Sequence, residues 1–159
     1  MTTQKPFVVL IGADTFPPDV NGAARFAERL SAGLARRGIE IHVVAPATSE
    51  KYGNFRENHD GTPIIVHRLK SNRFPGHKTL RYVNPLFMRR KTDPILKLVK
   101  PDVVHVQSHL NVGRALSHGA KRLGIPLVAT NHIMPENLIK YVVGTPAWIE
   151  KPFAKLAWW

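Results

Sequence analysis

A chain of 159 residues carries 23 Lys and Arg against 11 Asp and Glu, a net charge of +12, and no cysteine. That length suits one domain with a sizeable core. Lack of cysteine excludes a disulfide framework or thiolate metal site, and no apolar stretch reaches the roughly 18 residues of a transmembrane helix.

Phe7 to Ile11 is a continuous apolar run rich in β-branched residues, as expected of a strand buried on both faces of a parallel sheet. Ala13 to Val20 is an open loop containing Pro17 and Pro18. Asn21-Gly22 then opens a helix, with Asn21 as its cap and Gly22 leaving the first turn bare. Ala23, Ala27, Leu30 and Leu34 make its apolar stripe, and Gly38 its C-terminal cap. A second strand runs from Ile39 to Pro46. Ala47 to Thr62 is polar and reads as loop, Pro63 to Leu69 as a third strand, and Asn72 to Thr79 as loop. Leu80 to Val99 has helical spacing broken by Pro85 and Pro94, and Pro101 ends it. Asp102 to Gln107 is a fourth strand, Asn111 to Leu123 a helix closed by Gly124, and Ile125 to Thr130 a fifth strand. This alternation predicts an α/β fold: a doubly wound, mostly parallel, Rossmann-like sheet with helices on both faces. The opening MTTQKP leads into a strand-length run, so no signal peptide is expected, and a reducing cytoplasm is compatible.

In such sheets ligands sit beyond the carboxyl ends of the strands. The loops there hold Asp14, Asn21 and Gly22 after the first strand. Gln107, Ser108, His109 and Asn111 follow the fourth, and Asn131, His132 and Glu136 the fifth. A helix start opened by glycine presents unpaired N–H groups and suits a phosphate, although neither G-x-G-x-x-G nor a P-loop is present. His105, His109 and His132 can be drawn as a metal triad, but no cysteine or carboxylate completes a set at familiar spacing, and no metal is expected. Ser108 lacks the nucleophile elbow G-x-S-x-G.

The stretch TFPPDVNGAARFAERLSAGLARRGIEIHVVAP resembles the amino-terminal signature of the retaining glycosyltransferases of family 4, which have the GT-B fold. The likeness extends to VHVQSHLNVG and VATNHIMPEN, and so to nearly the whole chain, and points to the glycolipid, phosphatidylinositol and diacylglycerol branch. Gln107 stands where many members have the second histidine of V-H-x-H. The resemblance implies hexose transfer from a nucleotide-sugar to a membrane lipid or glycolipid with retention, without metal or other cofactor. It assigns Asn21 and Gly22 to the donor phosphate and places Thr130 and His132 at the cleft. His109 and His132 are then the catalytic candidates, with Asp14, Gln107, Asn111, Thr130, Asn131 and Glu136 contacting sugar or acceptor. Members carry a second domain with an E-x7-E motif, which is absent here. Residues 1–159 are therefore expected to be the acceptor-side half, inactive alone.

Between His67 and Lys100 ten basic residues face one acid, Asp93. Such a segment suits either a solvated face or a surface that meets anionic headgroups. In the second reading Arg73, Lys78, Arg81, Arg89, Arg90 and Lys91 are the membrane-facing set, with a peripheral location at the inner face of the plasma membrane expected. The terminal stripe Trp148, Ile149, Phe153, Leu156 and Ala157 suits a core, a domain interface or a membrane surface. Two other classes compete. A basic nucleic-acid-binding module is disfavoured because no zinc finger, RNP-type motif or interleaved aromatics are present. The other is a non-catalytic nucleotide-sugar-binding domain.

Overall fold

The structure is a computed structural model that describes residues 5–73 and 81–132. Five parallel strands form its centre: β1 (Val8–Gly12), β2 (Glu40–Pro46), β4 (Thr62–Leu69), β7 (Val103–Val106) and β8 (Leu127–Ala129). With the antiparallel strand β3 (Gly53–His59) the sheet order is β3-β4-β2-β1-β7-β8. A small ladder of β5 (Asn72–Arg73) and β6 (Arg81–Tyr82) lies apart from it.

Helix α1 (Gly22–Ala35) packs on one face, over Val9, Ile11, Ile41, Val43, Ile64 and Val66. Helices α2 (Met88–Val99) and α3 (Asn111–Leu123) cover the other, over Leu10, Val44, Val104 and Val106. Successive strand residues alternate between these two cores, as the period of two requires. The doubly wound reading therefore holds. Gly119 lets α2 and α3 approach, since a Cβ there would lie 2.4 Å from Leu96 Cδ1. Asp93 joins the two helices by accepting from Arg89 and Arg122 at 3.0 and 2.7 Å.

Three expectations need correction. The polar stretch 47–62 is not all loop, because Gly53–His59 pairs along β4 and a two-residue turn at Asp60-Gly61 joins them. Both turn residues have positive φ, 50° and 75°, the geometry that Asp-Gly favours in a hairpin. The helix expected from Leu80 begins only at Met88, because Phe87 takes a left-handed conformation with φ 58°. It then runs through Pro94, whose ring stays exposed. The buried side of α1 is Ala24, Ala27, Glu28, Ser31 and Ala32, with Leu30 and Leu34 at its margin.

A polar network fills the β3 end of the sheet. On the α2 side, Glu40, His42, His67 and Asn54 form a chain with contacts of 3.0, 3.0 and 2.7 Å. Burial, and secondly the neighbouring His42, pull the His67 pKa from 6.5 to about 4. The folded value lies below the unfolded one. Its stabilisation is therefore complete above about pH 6.5 and is lost as pH falls toward 4. His105, lowered by burial and by His132, acts with the same sign. Unfolding free energy measured from pH 7 to 5 should fall, and His67→Gln should make that fall shallower. An unchanged slope in the variant would assign it to other groups.

Candidate functional site

The strand order reverses at β1 and β7, which are neighbours, and the chain leaves them to opposite sides of the sheet. A crevice at such a switch point is where open α/β sheets bind ligands. The loops after β1 and β7 meet there and are tied together by one side chain. Asp14 accepts from Val112 N at 2.8 Å, Gly113 N at 3.2 Å and the Ser108 hydroxyl. These contacts cap α3 from a residue 98 positions away from Val112 in sequence. Burial raises the Asp14 pKa, against the lowering effect of those donors.

Asn21 caps α1 as expected, accepting from Ala24 N at 2.8 Å. Gly22 is exposed, and a Cβ added there would meet nothing within 4 Å. Among the described residues, the N–H groups of Gly22 and Ala23 have no hydrogen-bond acceptor. They are the bare amides that a helix start offers an anion.

One turn further along α1, the Phe26 ring packs on His132, with centroids 4.6 Å apart. His132 Nε2 lies 3.0 Å from Gln107 Oε1. Gln107 is buried, and its Nε2 has no hydrogen-bond partner among the described residues. His109 Nδ1 is 3.3 Å from Asn131 Oδ1, and His105 Nε2 is 2.8 Å from Thr130 Oγ1. Each of the three histidines thus faces the oxygen of an amide or hydroxyl side chain. No group of three or more potential metal ligands occurs among the described residues.

The structure therefore gathers Gln107, His109, Thr130, Asn131 and His132 at one edge, beside the opening turn of α1. Asp14 and Asn111 are engaged in bracing: Asn111 Nδ2 donates to Val83 O at 2.9 Å. Glu136 and the terminal stripe from Trp148 to Ala157 lie outside the described residues. Of the basic set, Arg73, Arg89 and Arg90 are exposed. Arg81 turns inward onto Ser71, Lys91 donates to Asn84 O at 2.7 Å, and Lys78 lies outside the described residues.

Two features escaped the sequence reading. Phe26 is an exposed aromatic one turn after Gly22, a signal that was available. The second is Arg68, whose buried guanidinium pairs with Glu57 at 2.8 and 2.6 Å and donates to Pro17 O at 2.7 Å and Pro46 O at 3.2 Å. It also stands 5.5 Å over the Phe16 ring. Burial alone would raise the Glu57 pKa, but the hydrogen bonds and charges of Arg68 and His59 outweigh it and hold the pKa low. His59 extends the network to Glu28 on α1.

The sequence profile of Glycosyltransferase Family 4 matches residues 20–159. The chain belongs to this family. A GDP-mannose-dependent alpha-mannosyltransferase of Mycobacterium tuberculosis is 37% identical over 121 residues, covering 76% of this chain and 31% of that protein. The alpha-monoglucosyldiacylglycerol synthase of Acholeplasma laidlawii is 27% identical over 132 residues, covering 83% and 31%. Sucrose-phosphate synthase from Thermosynechococcus elongatus shares the fold with a TM-score of 0.61 at 12% identity, over 96% of this chain and 40% of that one. The family 4 chain thus spans about 31% of the length of these curated relatives.

Proposed function

We propose that this family 4 domain is the acceptor-side half of a retaining hexosyltransferase that moves a hexose from a nucleotide-sugar to a membrane lipid or glycolipid. The observation that carries the reading is the exposed α1 opening turn beside the Gln107–His132 pair at the switch point of the sheet. Relatives whose names specify GDP-mannose and a glucosyldiacylglycerol product support the donor and acceptor classes.

In this reading the amides of Gly22 and Ala23 receive the donor phosphate as negative charge grows on it. That phosphate takes the acceptor proton, so neither a carboxylate pair nor a metal is required. His132 and His109 orient the sugar and acceptor hydroxyls, and Gln107 Nε2 supplies a spare donor beside them. Asn131 fixes the His109 imidazole and Thr130 that of His105. Asp14 and Asn111 act through the loops they hold. A second domain completes the donor site, and the exposed arginines of α2 face anionic headgroups at the inner membrane surface.

The test uses the domain joined to its donor-binding partner, with GDP-mannose and UDP-glucose as donors and a membrane lipid extract as acceptor. An α-linked glycolipid is expected from the joined protein and none from residues 1–159 alone. His132→Ala should lower kcat by about 100-fold, the scale of lost positioning. Absence of any glycolipid product with every donor, or turnover by the isolated chain, would overturn the proposal.

A further inference from the structure

A groove of about 270 Å³ opens between the β3–β4 hairpin and α2, lined by Tyr52, Asn54, His67, Leu69, Lys70, Lys91 and Ile95 among others. It lies at the carboxyl end of β4, two strands from β1, and so about 10 Å to the side of the switch point. It is on the α2 side of the sheet, whereas Phe26 and His132 lie on the α1 side. Its walls are largely apolar, from the Tyr52 ring, Leu69 and Ile95.

The polar floor is already satisfied, since His67 holds Asn54 at 2.7 Å and His42 at 3.0 Å. With its pKa near 4 the imidazole is neutral at pH 7. Three cations line the groove, and Arg68 among them is already paired with Glu57. Lys70 Nζ stands 5.8 Å over the Tyr52 ring, and Lys91 Nζ donates to the Asn84 carbonyl. No carboxylate lines the groove, and among the described residues neither ammonium has a carboxylate within ion-pair distance. Burial lowers the Lys91 pKa, because desolvation penalises the charged ammonium.

We infer that this groove takes the apolar tail of an anionic amphiphile, with Lys70 and Lys91 meeting its charged head. An inorganic anion alone leaves the apolar walls wet, and a neutral chain leaves the two ammoniums without a counter-charge. The inference rests on the lipid-acceptor reading and assigns that lipid class a seat on this chain.

Calorimetry on the 159-residue chain decides it, with decyl phosphate below its micelle concentration as probe and decyl maltoside and inorganic phosphate as controls. Decyl phosphate should bind at least tenfold more tightly than either control. Ile95→Trp, which fills the groove, should weaken it at least tenfold, and Lys70→Ala and Lys91→Ala at least threefold each. Lys70 is exposed and outside the core, so its variant keeps the fold if Ile95→Trp does not. Decyl maltoside binding as tightly, or variants within twofold of the parent, would overturn the assignment. Failure here alongside lipid glycosylation by the joined protein removes only the groove. Binding here without any glycolipid product removes the acceptor reading instead.

Discussion

Arg68→Met should lower the unfolding free energy by about 3–5 kcal/mol, the cost of removing one partner from a buried ion pair. The side chain is 6% exposed and Glu57 24%, so solvent does little to replace the lost donors. The variant leaves the Glu57 carboxylate without its bidentate partner and two carbonyls, Pro17 O and Pro46 O, without a donor. For a chain of this size the melting temperature should drop by about 10 °C. Arg68→Met with Glu57→Leu should recover part of the loss, because the apolar pair carries no unpaired charge, while Pro17 O and Pro46 O stay without a donor and His59 loses its Glu57 partner. Urea unfolding of the single and double variants measures both. A single-variant loss under about 1 kcal/mol would mean water reaches Glu57. Amide exchange should also rise in the loop after β1, which Arg68 anchors through Pro17.

Gly113→Ala should have the larger consequence for activity. A Cβ at position 113 would lie 1.9 Å from the Ser108 carbonyl oxygen and 2.9 Å from its carbon. Those atoms are backbone, so α3 and the loop after β7 must separate. The separation breaks the hydrogen bonds from Val112 N and Gly113 N to Asp14. Overpacking of this kind costs about 1–3 kcal/mol, and losing the cap about 1 kcal/mol more. The same movement displaces Gln107 and His109, and a shift of about 1 Å in a positioning residue can cost about 100-fold in rate. Gly22→Ala is the control for stability: with open space at its Cβ, it should change the unfolding free energy by less than about 1 kcal/mol. Thermal melts of the two variants, with turnover of the joined protein, separate these effects. Equal stability of Gly113→Ala and the parent would contradict the close approach.

Most of the layering was readable because the chain is punctuated. Helix α3 runs from Asn111 to Leu123, the span its apolar spacing predicts, and Gly124 closes it with φ 66°. Strands β1 and β2 announced themselves as apolar runs, since both their faces are buried, whereas β8 at the sheet edge is exposed along its length. Strand β3 did not, because Asn54, Arg56, Glu57 and Asn58 carry no such run. Its only local signal was the Asp60-Gly61 turn, read as part of a loop. The site was legible as polar loops at one sheet edge, but not as partnerships. Asp14 and Ser108 are 94 residues apart, and no local spacing tells that this carboxylate closes a distant helix. Likewise Arg68, Glu57, His59 and Glu28 stand on three separate elements with no local spacing that links them. Only the fold makes them one buried network.

The Phe26 ring packs on the His132 imidazole, whose Nε2 is held by Gln107 Oε1. The tilt of that imidazole is therefore set partly by the bulk of a hydrocarbon on another element. In the proposed transfer, a change of residue at position 26 would retune which hydroxyl His132 meets without altering any polar group, so that sugar preference would be set from outside the hydrogen-bonding set.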